Sequence, residues 1–530
     1  MRRPVAVLAT VALIALGFQA VASASPATTG RSGSATVASV GTIAWGRCDD
    51  PSLRQAHARC AMLDVPLDHA DPTGTQIQLA LSRIKHTVPD DQYQGVMLVN
   101  PGGPGGSGLG LVTLGQYVPN GAGDAYDWIG FDPRGVGSSV PSLSCIPKYF
   151  HGDRPPYPPT SQTILDTWLS RSERYADACA ANGAELLPHL TTIDAARDMD
   201  GIRQALGADQ INYYGFSYGT YLGQVYATLF PGKLRRAVFD SNVDPRAVWY
   251  QANFDQDIAF QTNIEIWFDW VAQYRNVYHL GRTGNAVERR YYDVWAALKR
   301  HPAGGIVGPS EWDDIFLFAG YYQFLWTYLG GVFSDYVHHD AVKRLINAYR
   351  SFDGPGNDNG FAMYLATECT DAPWPTDVQT FLDDNAAVDE QAPFFTWGNA
   401  WFNAPCVFWS VPAGTPVTVT GDATPVLLID ETLDAATPFT GSLYVRSVFL
   451  NSVLLAEPGG TTHAGSLFGN ECVDGAIADY LADGTLPPRQ SGAGPDLECD
   501  PLPPPVPGAL GAAGRPGPGL QARLVPVMGH

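Results

Sequence analysis

Gly215-Phe216-Ser217-Tyr218-Gly219 is the one G-x-S-x-G in this chain. It directly follows the short apolar run Ile211 to Tyr214 and directly precedes a stretch that reads as a helix from about Thr220. A serine hydroxyl is a weak nucleophile until a base and a suitable backbone activate it. At a sharp strand-to-helix turn the serine is held in a strained conformation with its hydroxyl exposed, and flanking glycines remove side chains that would clash there. The positive end of the following helix then points at the charge that develops on an attacked carbonyl. The chemistry this spacing offers is acyl transfer through Ser217.

Such a serine needs a base and an acid, which follow it along the chain in the order serine, acid, histidine. Beyond the apolar run Val426 to Ile429 the only histidines are His463 and the terminal His530. His463, in Gly460-Thr461-Thr462-His463-Ala464-Gly465 after the run near Leu455, is therefore the candidate base. Asp430, Glu431 and Asp434 are the candidate acids. Asp430 reads as the end of a strand and Asp434 as part of the loop beyond, so Asp434 is favoured to fix the imidazole tautomer and stabilise the imidazolium. The loop from Asn100 to Gly108 (NPGGPGGSG) follows the run Val96 to Val99, and its glycines leave backbone N–H groups unshielded. It can supply half of an oxyanion hole from Gly103, with the Tyr218 N–H as the other half. A phosphate-binding reading fails because the required Lys and Ser/Thr are missing and Pro104 removes a donor. The catalytic set is then Ser217, Asp434 and His463, and it requires no metal or organic cofactor.

Short apolar runs that end in polar or glycine-rich turns recur at Val96–Val99, Trp128–Phe131, Ile211–Tyr214, Ala237–Phe239, Val426–Ile429 and Val453–Leu455. Runs of this kind suit strands buried on both faces, and helical stretches such as Ala195–Leu206 and Thr220–Leu229 separate several of them. The expected fold class is α/β with a mostly parallel sheet. From about Asp244 to Pro412 the pattern turns helical and aromatic, with Gln251–Tyr274, Ala286–Arg300 and Glu311–Phe352 as the clearer segments. Ten of the 13 tryptophans fall there. This block reads as a cap inserted over the site, its aromatics forming either the cap's own core or a cleft wall. Ile315–Phe333 carries no charge and reaches membrane-spanning length, but its Gln323, Thr327, three tyrosines and three glycines favour a buried helix.

A chain of 530 residues exceeds one simple domain, and a net charge of -21 without clustered Lys and Arg excludes a nucleic-acid surface. Arg2 and Arg3, an apolar run to Phe18 and Ala22-Ser23-Ala24 have the layout of a secretory signal cleaved after Ala24. The run is short for a membrane anchor, and no stable membrane association is expected. Domain boundaries are expected at 1–24 (signal), 25–44 (leader), 45–243 (first part of the core), 244–412 (cap), 413–500 (second part of the core) and 501–530 (a Pro/Gly-rich tail). The 8 cysteines fall in twos along the sequence, which in an exported chain predicts Cys48 with Cys60, Cys145 with Cys179, Cys369 with Cys406 and Cys472 with Cys499. A zinc site is the rival, without supporting spacing.

Taken together, NPGGPGGSG from Asn100, FDPRGVGSS from Phe131, the block from Asp194 through GFSYGTYLGQVYA to VDP, LDAATP around Asp434, the His463 loop and ECVDGAIADYLADGTLP from Glu471 carry a resemblance. The chain resembles the α/β-hydrolases of the proline iminopeptidase and tripeptidyl aminopeptidase group, in particular its secreted bacterial tripeptidyl aminopeptidase branch, over roughly residues 45 to 500. The resemblance implies an α/β-hydrolase fold with a helical cap, peptide substrates, and release of short peptides from free N-termini. The chain departs from the group's pattern at three places: Ser241-Asn242 replaces Gly-Val, Ala435-Ala436 replaces Pro-Val, and Thr462 replaces a glycine. An aminopeptidase must hold an ammonium at a fixed distance from its nucleophile, which calls for carboxylates on the cap side. Glu368 and Asp371 are the candidates. An esterase with the same triad and a catalytically silent binding protein of this fold are the alternatives. The oligomeric state is left open.

Overall fold

The computed structural model of the protein describes residues 43–352, 356–421 and 423–508. The signal, the leader up to residue 42 and the tail from residue 509 lie outside the described residues. Ten strands form one sheet: β1 (Gly46–Arg47), β2 (Arg59–Pro66), β3 (Gln76–Ile84), β4 (Val96–Asn100), β5 (Asp127–Phe131), β6 (Ile211–Phe216), β7 (Leu234–Asp240), β8 (Val426–Glu431), β9 (Ser452–Glu457) and β10 (Leu497–Glu498). Their order is β1-β2-β3-β5-β4-β6-β7-β8-β9-β10. From β5 to β10 all neighbours are parallel, while β1, β2 and β3 pair antiparallel and β3 joins β5 antiparallel.

All six apolar runs expected to be strands lie inside β4 to β9. Every residue of β4, β5, β6, β8 and β9 is buried, as strands covered by helices on both faces must be. Alternate residues feed two cores. Met97, Val99, Tyr214, Phe216, Leu427 and Ile429 belong to one, and Val96, Leu98, Tyr213, Val426 and Leu428 to the other. Burying one such aliphatic or aromatic side chain contributes about 1.5–3 kcal/mol, so the sheet is bound from both sides.

The order of strands explains where a site forms. After β4 the chain passes to β5 on one side and later to β6 on the other. The loops leaving β4 and β6 therefore open a crevice at their carboxyl ends, with Asn100 paired to Gly215.

Between β7 and β8 the described residues form helices, among them Tyr250–Gln273, Gly284–Arg300, Pro309–Tyr321, Trp326–His339, Val342–Phe352, Asn359–Asp371 and Thr396–Asn403, and add no strand to the sheet. Glu311–Phe352, expected as one segment, is three helices. Tyr322 turns extended (φ -139°, ψ 106°) and Asp340 left-handed (φ 48°), which ends each preceding helix. Ile315–Phe333 is thus broken, and no described helix is long and apolar enough to cross a membrane. The four disulfides pair as the sequence spacing predicts.

Candidate active site

Ser217 sits between β6 and the helix Tyr218–Leu229 with φ 55° and ψ -127°, a left-handed conformation costly to any residue with a Cβ. Close approach dictates the glycines around it. A Cβ on Gly215 would lie 2.5 Å from the Gly219 carbonyl oxygen, and one on Gly219 would lie 2.7 Å from that of Asn100. A Cβ on Gly102 would meet the Ser217 Cβ at 2.9 Å, so the glycine loop after β4 lies directly against the serine turn. Ser217 donates its N–H to the Asp240 carbonyl at 3.0 Å. Gly103 and Tyr218 line the same cavity as Ser217. Among the described residues, no protein group accepts either of their N–H groups.

Asp434 and His463 are joined: Asp434 Oδ2 lies 2.7 Å from His463 Nδ1, with both side chains buried. The Asp434 carboxylate is itself fixed by the N–H groups of Ala436 (2.8 Å) and Thr437 (3.1 Å) and by the Thr437 hydroxyl (3.0 Å). Asp430 is turned away, accepting from the Ser442 hydroxyl at 2.6 Å, and burial together with the Asp434 charge pushes its carboxyl well above the ordinary value. Glu431 accepts the Thr462 N–H at 2.6 Å. Of the three acids considered, only Asp434 reaches the imidazole. His463 Nε2 is buried with no partner. The histidine reaches the cavity through Tyr321 and Thr437, both wall residues: its ring packs against Tyr321 at 5.8 Å, and the Thr437 hydroxyl lies 3.4 Å from its Nδ1. Among the described residues, no hydrogen bond joins Ser217 to His463. Such contacts tighten when a substrate binds.

The histidine loop hangs from side chains and carbonyls of other segments. The N–H of His463 goes to the Tyr321 carbonyl (2.9 Å), that of Ala464 to Ser241 Oγ (2.7 Å), that of Ser466 to Asp240 Oδ2 (3.0 Å) and that of Leu467 to Asp474 Oδ1 (2.8 Å). These ties hold Ala464 (φ 55°) and Leu467 (φ 63°) in left-handed conformations. Burial pushes the Asp240 carboxyl up to about 6, although hydrogen bonds from Ser466 and the His463 charge oppose the rise. Glu457, buried two strands away at the end of β9, is pushed up to about 8. Two departures from the family pattern gain a physical reading here. Ser241 stands at φ 64°, where the glycine of the pattern would sit without strain, while Thr462 does not adopt a positive φ and needs no glycine. The roles of Asp240, Tyr321 and Asp474 had no signal in the sequence.

A cavity open to solvent contains Ser217 in its wall. Of the ten tryptophans between β7 and β8, Trp249 alone lines it, and Trp267, Trp312, Trp326 and Trp401 are packed inside the helical core, as ordinary burial predicts. Glu368 also lines the cavity, beside Tyr364 and Asn253. Its Oε2 is buried without a partner, and burial drives its carboxyl well above the ordinary value. Asp371 is not in the wall. It accepts the Thr192 N–H (2.8 Å) and hydroxyl (2.5 Å) and faces the Trp249 indole, and burial pushes it up to about 6. The structure thus brings one of the two proposed amine carboxylates to the cavity and uses the other to brace its walls. Among the described residues, no group of three or more His, Cys, Asp or Glu side chains is arranged to hold a metal ion.

A mostly parallel sheet, a serine on a strand-to-helix turn and a buried carboxylate–imidazole pair on later loops define an α/β-hydrolase. Residues 95–329 match the family model described as alpha/beta hydrolase fold, and residues 392–494 match that of TAP-like proteins. The chain is 41% identical over 473 residues to the tripeptidyl aminopeptidase of Streptomyces lividans, covering 87% of each protein. It is 31% identical over 474 residues to the serine protease Hip1 of Mycobacterium tuberculosis, covering 84% of this chain and 90% of that one. It is also 31% identical over 489 residues to carboxylesterase B of the same organism, covering 86% and 90%. The chain belongs to the tripeptidyl aminopeptidase family of α/β-hydrolases, and it is a serine hydrolase.

Proposed function

We propose that this protein is a secreted aminopeptidase that releases short peptides, tripeptides foremost, from free N-termini, with Ser217 as nucleophile, His463 as base and Asp434 as the orienting acid. His463 Nε2 takes the Ser217 proton as Oγ attacks the scissile carbonyl carbon. The N–H groups of Gly103 and Tyr218 receive the oxyanion. The imidazolium, stabilised by Asp434, then gives its proton to the departing amine, and the C–N bond breaks to leave an ester on Ser217. Water attacks that ester by the same route in reverse and frees the short peptide. The helices between β7 and β8 act as the cap that closes the acyl side.

The observation that carries this reading is Glu368: a buried carboxyl with an unpartnered oxygen in the wall of the cavity that contains Ser217. An unpaired buried acceptor is costly, and an arriving ammonium relieves that cost by donating to it. The four disulfides fit assembly in an oxidising compartment, in line with the expected signal and cleavage after Ala24. The test compares a chromogenic tripeptide amide carrying a free amine with its N-acetylated form. Strong preference for the free amine is expected, together with loss of about 10⁶-fold in kcat for Ser217→Ala. Equal rates on the two substrates would leave a serine hydrolase without amine recognition and overturn the aminopeptidase reading.

A further inference from the structure

We infer that the helices between β7 and β8 do more than cover the cleft: through Asn263 they set the relative position of the acid and the base, which makes Asn263 a positioning residue. Asn263, on the helix Tyr250–Gln273, is 1% exposed. Its side-chain amide donates to two carbonyls at once, to Gly320 at 3.1 Å and to Leu433 at 2.8 Å. Each carbonyl belongs to the residue just before a functional one. Leu433 precedes Asp434. Gly320 precedes Tyr321, whose own carbonyl accepts the His463 N–H at 2.9 Å and whose ring packs against the imidazole. One amide therefore fastens the acid loop to the helix end that holds the histidine.

The joint is built closely. A Cβ on Gly320 would lie 2.6 Å from the Phe260 ring, so glycine is what lets the helix Pro309–Tyr321 approach Tyr250–Gln273 near enough for the amide to span both carbonyls. A second tie runs from Gln256 of the same helix to the Ala436 carbonyl at 2.7 Å. Since His463 Nε2 has no hydrogen-bond partner, the position of the imidazole is fixed by its bond to Asp434 and by the ties of its loop. A displacement of about 1 Å between reacting groups costs on the order of 10²-fold in rate. Asn263 itself does not line the cavity, so its loss removes no direct contact with substrate.

The inference rests on the Ser217, His463 and Asp434 reading, which labelling of Ser217 by a fluorophosphonate in the unaltered protein tests separately. With that established, Asn263→Leu fills the volume while removing both donors. Its kcat on the free-amine tripeptide amide is expected to fall about 10- to 100-fold, with KM within about twofold and the rate of fluorophosphonate labelling falling in parallel. Both assays run well below the variant's melting temperature. A purely structural amide would lower the melting temperature and leave kcat and the labelling rate unchanged in the folded protein, and that result overturns the inference. Should Asn263→Leu not fold, Asn263→Ser, which keeps one donor, is expected to show a smaller loss in the same two rates; unchanged rates in it overturn the inference equally.

Discussion

Ser241 Oγ accepts the backbone N–H of Ala464, the residue after the candidate base, at 2.7 Å, although Ser241 must adopt φ 64° to do so. A strained serine in place of the family's glycine exchanges backbone comfort for an anchor on the histidine loop. Ser241→Gly reverses the exchange. Glycine occupies a left-handed position without a Cβ penalty, so the melting temperature is expected to hold or rise. The lost hydrogen bond, roughly 1 kcal/mol, is expected to cost about fivefold in kcat. Calorimetry and steady-state kinetics on one preparation check both signs, and a variant that loses stability while keeping kcat contradicts the assignment.

Asp430 and Asp434 are four residues apart, but only Asp434 faces His463. Asp434→Asn offers the imidazole a group that no longer enforces the correct tautomer, and roughly 10⁴-fold of kcat is expected to go with the fold intact. Asp430→Asn replaces a carboxyl already bonded to Ser442 and pushed toward its neutral form by burial, so kcat is expected to stay within a few fold. The comparison of the two variants is the measurement. Equal losses would mean that the loop's geometry, not the charge at Asp434, is what matters.

The contrast between these residues also indicates what a linear sequence can carry. Ser217, Asp434 and His463 are legible because a strand-to-helix turn has a local spacing and the chain order leaves a single histidine before the tail. The strands β4 to β9 are legible because burial on both faces makes them apolar throughout. β2 and β3 escape notice because they mix exposed and half-buried residues with buried ones at the antiparallel side of the sheet, so neither reads as a wholly apolar run. The breaks at Tyr322 and Asp340 lack the glycine or proline that would announce them. Asn263, Tyr321 and Asp240 act through contacts with residues about 140 to 230 positions away, and no local pattern encodes such a meeting.

Glu368 gives a prediction about binding. Glu368→Gln keeps the shape and removes a carboxyl that can give up its proton and ionise against an arriving ammonium. A charge-assisted hydrogen bond of roughly 1.5–3 kcal/mol corresponds to about a 10- to 100-fold rise in KM for the free-amine tripeptide amide. The N-acetylated form, which carries no ammonium, is expected to be unaffected. Asp371→Asn, by contrast, loosens the wall at Thr192 and Trp249 and is expected to lower the melting temperature more than it changes that ratio. If the free-to-blocked preference survives Glu368→Gln, the ammonium is held elsewhere.

The buried carboxyls around the histidine loop, together with Asp371, make a prediction about stability and pH. Burial pushes Asp240, Asp371 and Asp474 up to about 6 and Glu457 up to about 8, all above their unfolded values near 4. Between about pH 4 and 8 the folded chain therefore binds more protons than the unfolded one, and stability falls as pH rises through that window. Groups of the opposite kind limit the acid side. At Asp198 and Asp496 burial raises the carboxyl, but pairing with Arg134 and Arg446 outweighs it and leaves both below the ordinary value. Their contribution is present above about pH 4 and is lost below it. The melting temperature is accordingly expected to peak between about pH 4 and 6 and to be lower at pH 8 than at pH 5. Calorimetric scans at pH 5, 6.5 and 8 decide the matter: a melting temperature that climbs across that series would mean that the buried carboxyls are ionised and paired, contrary to the burial of Asp240 and Glu457.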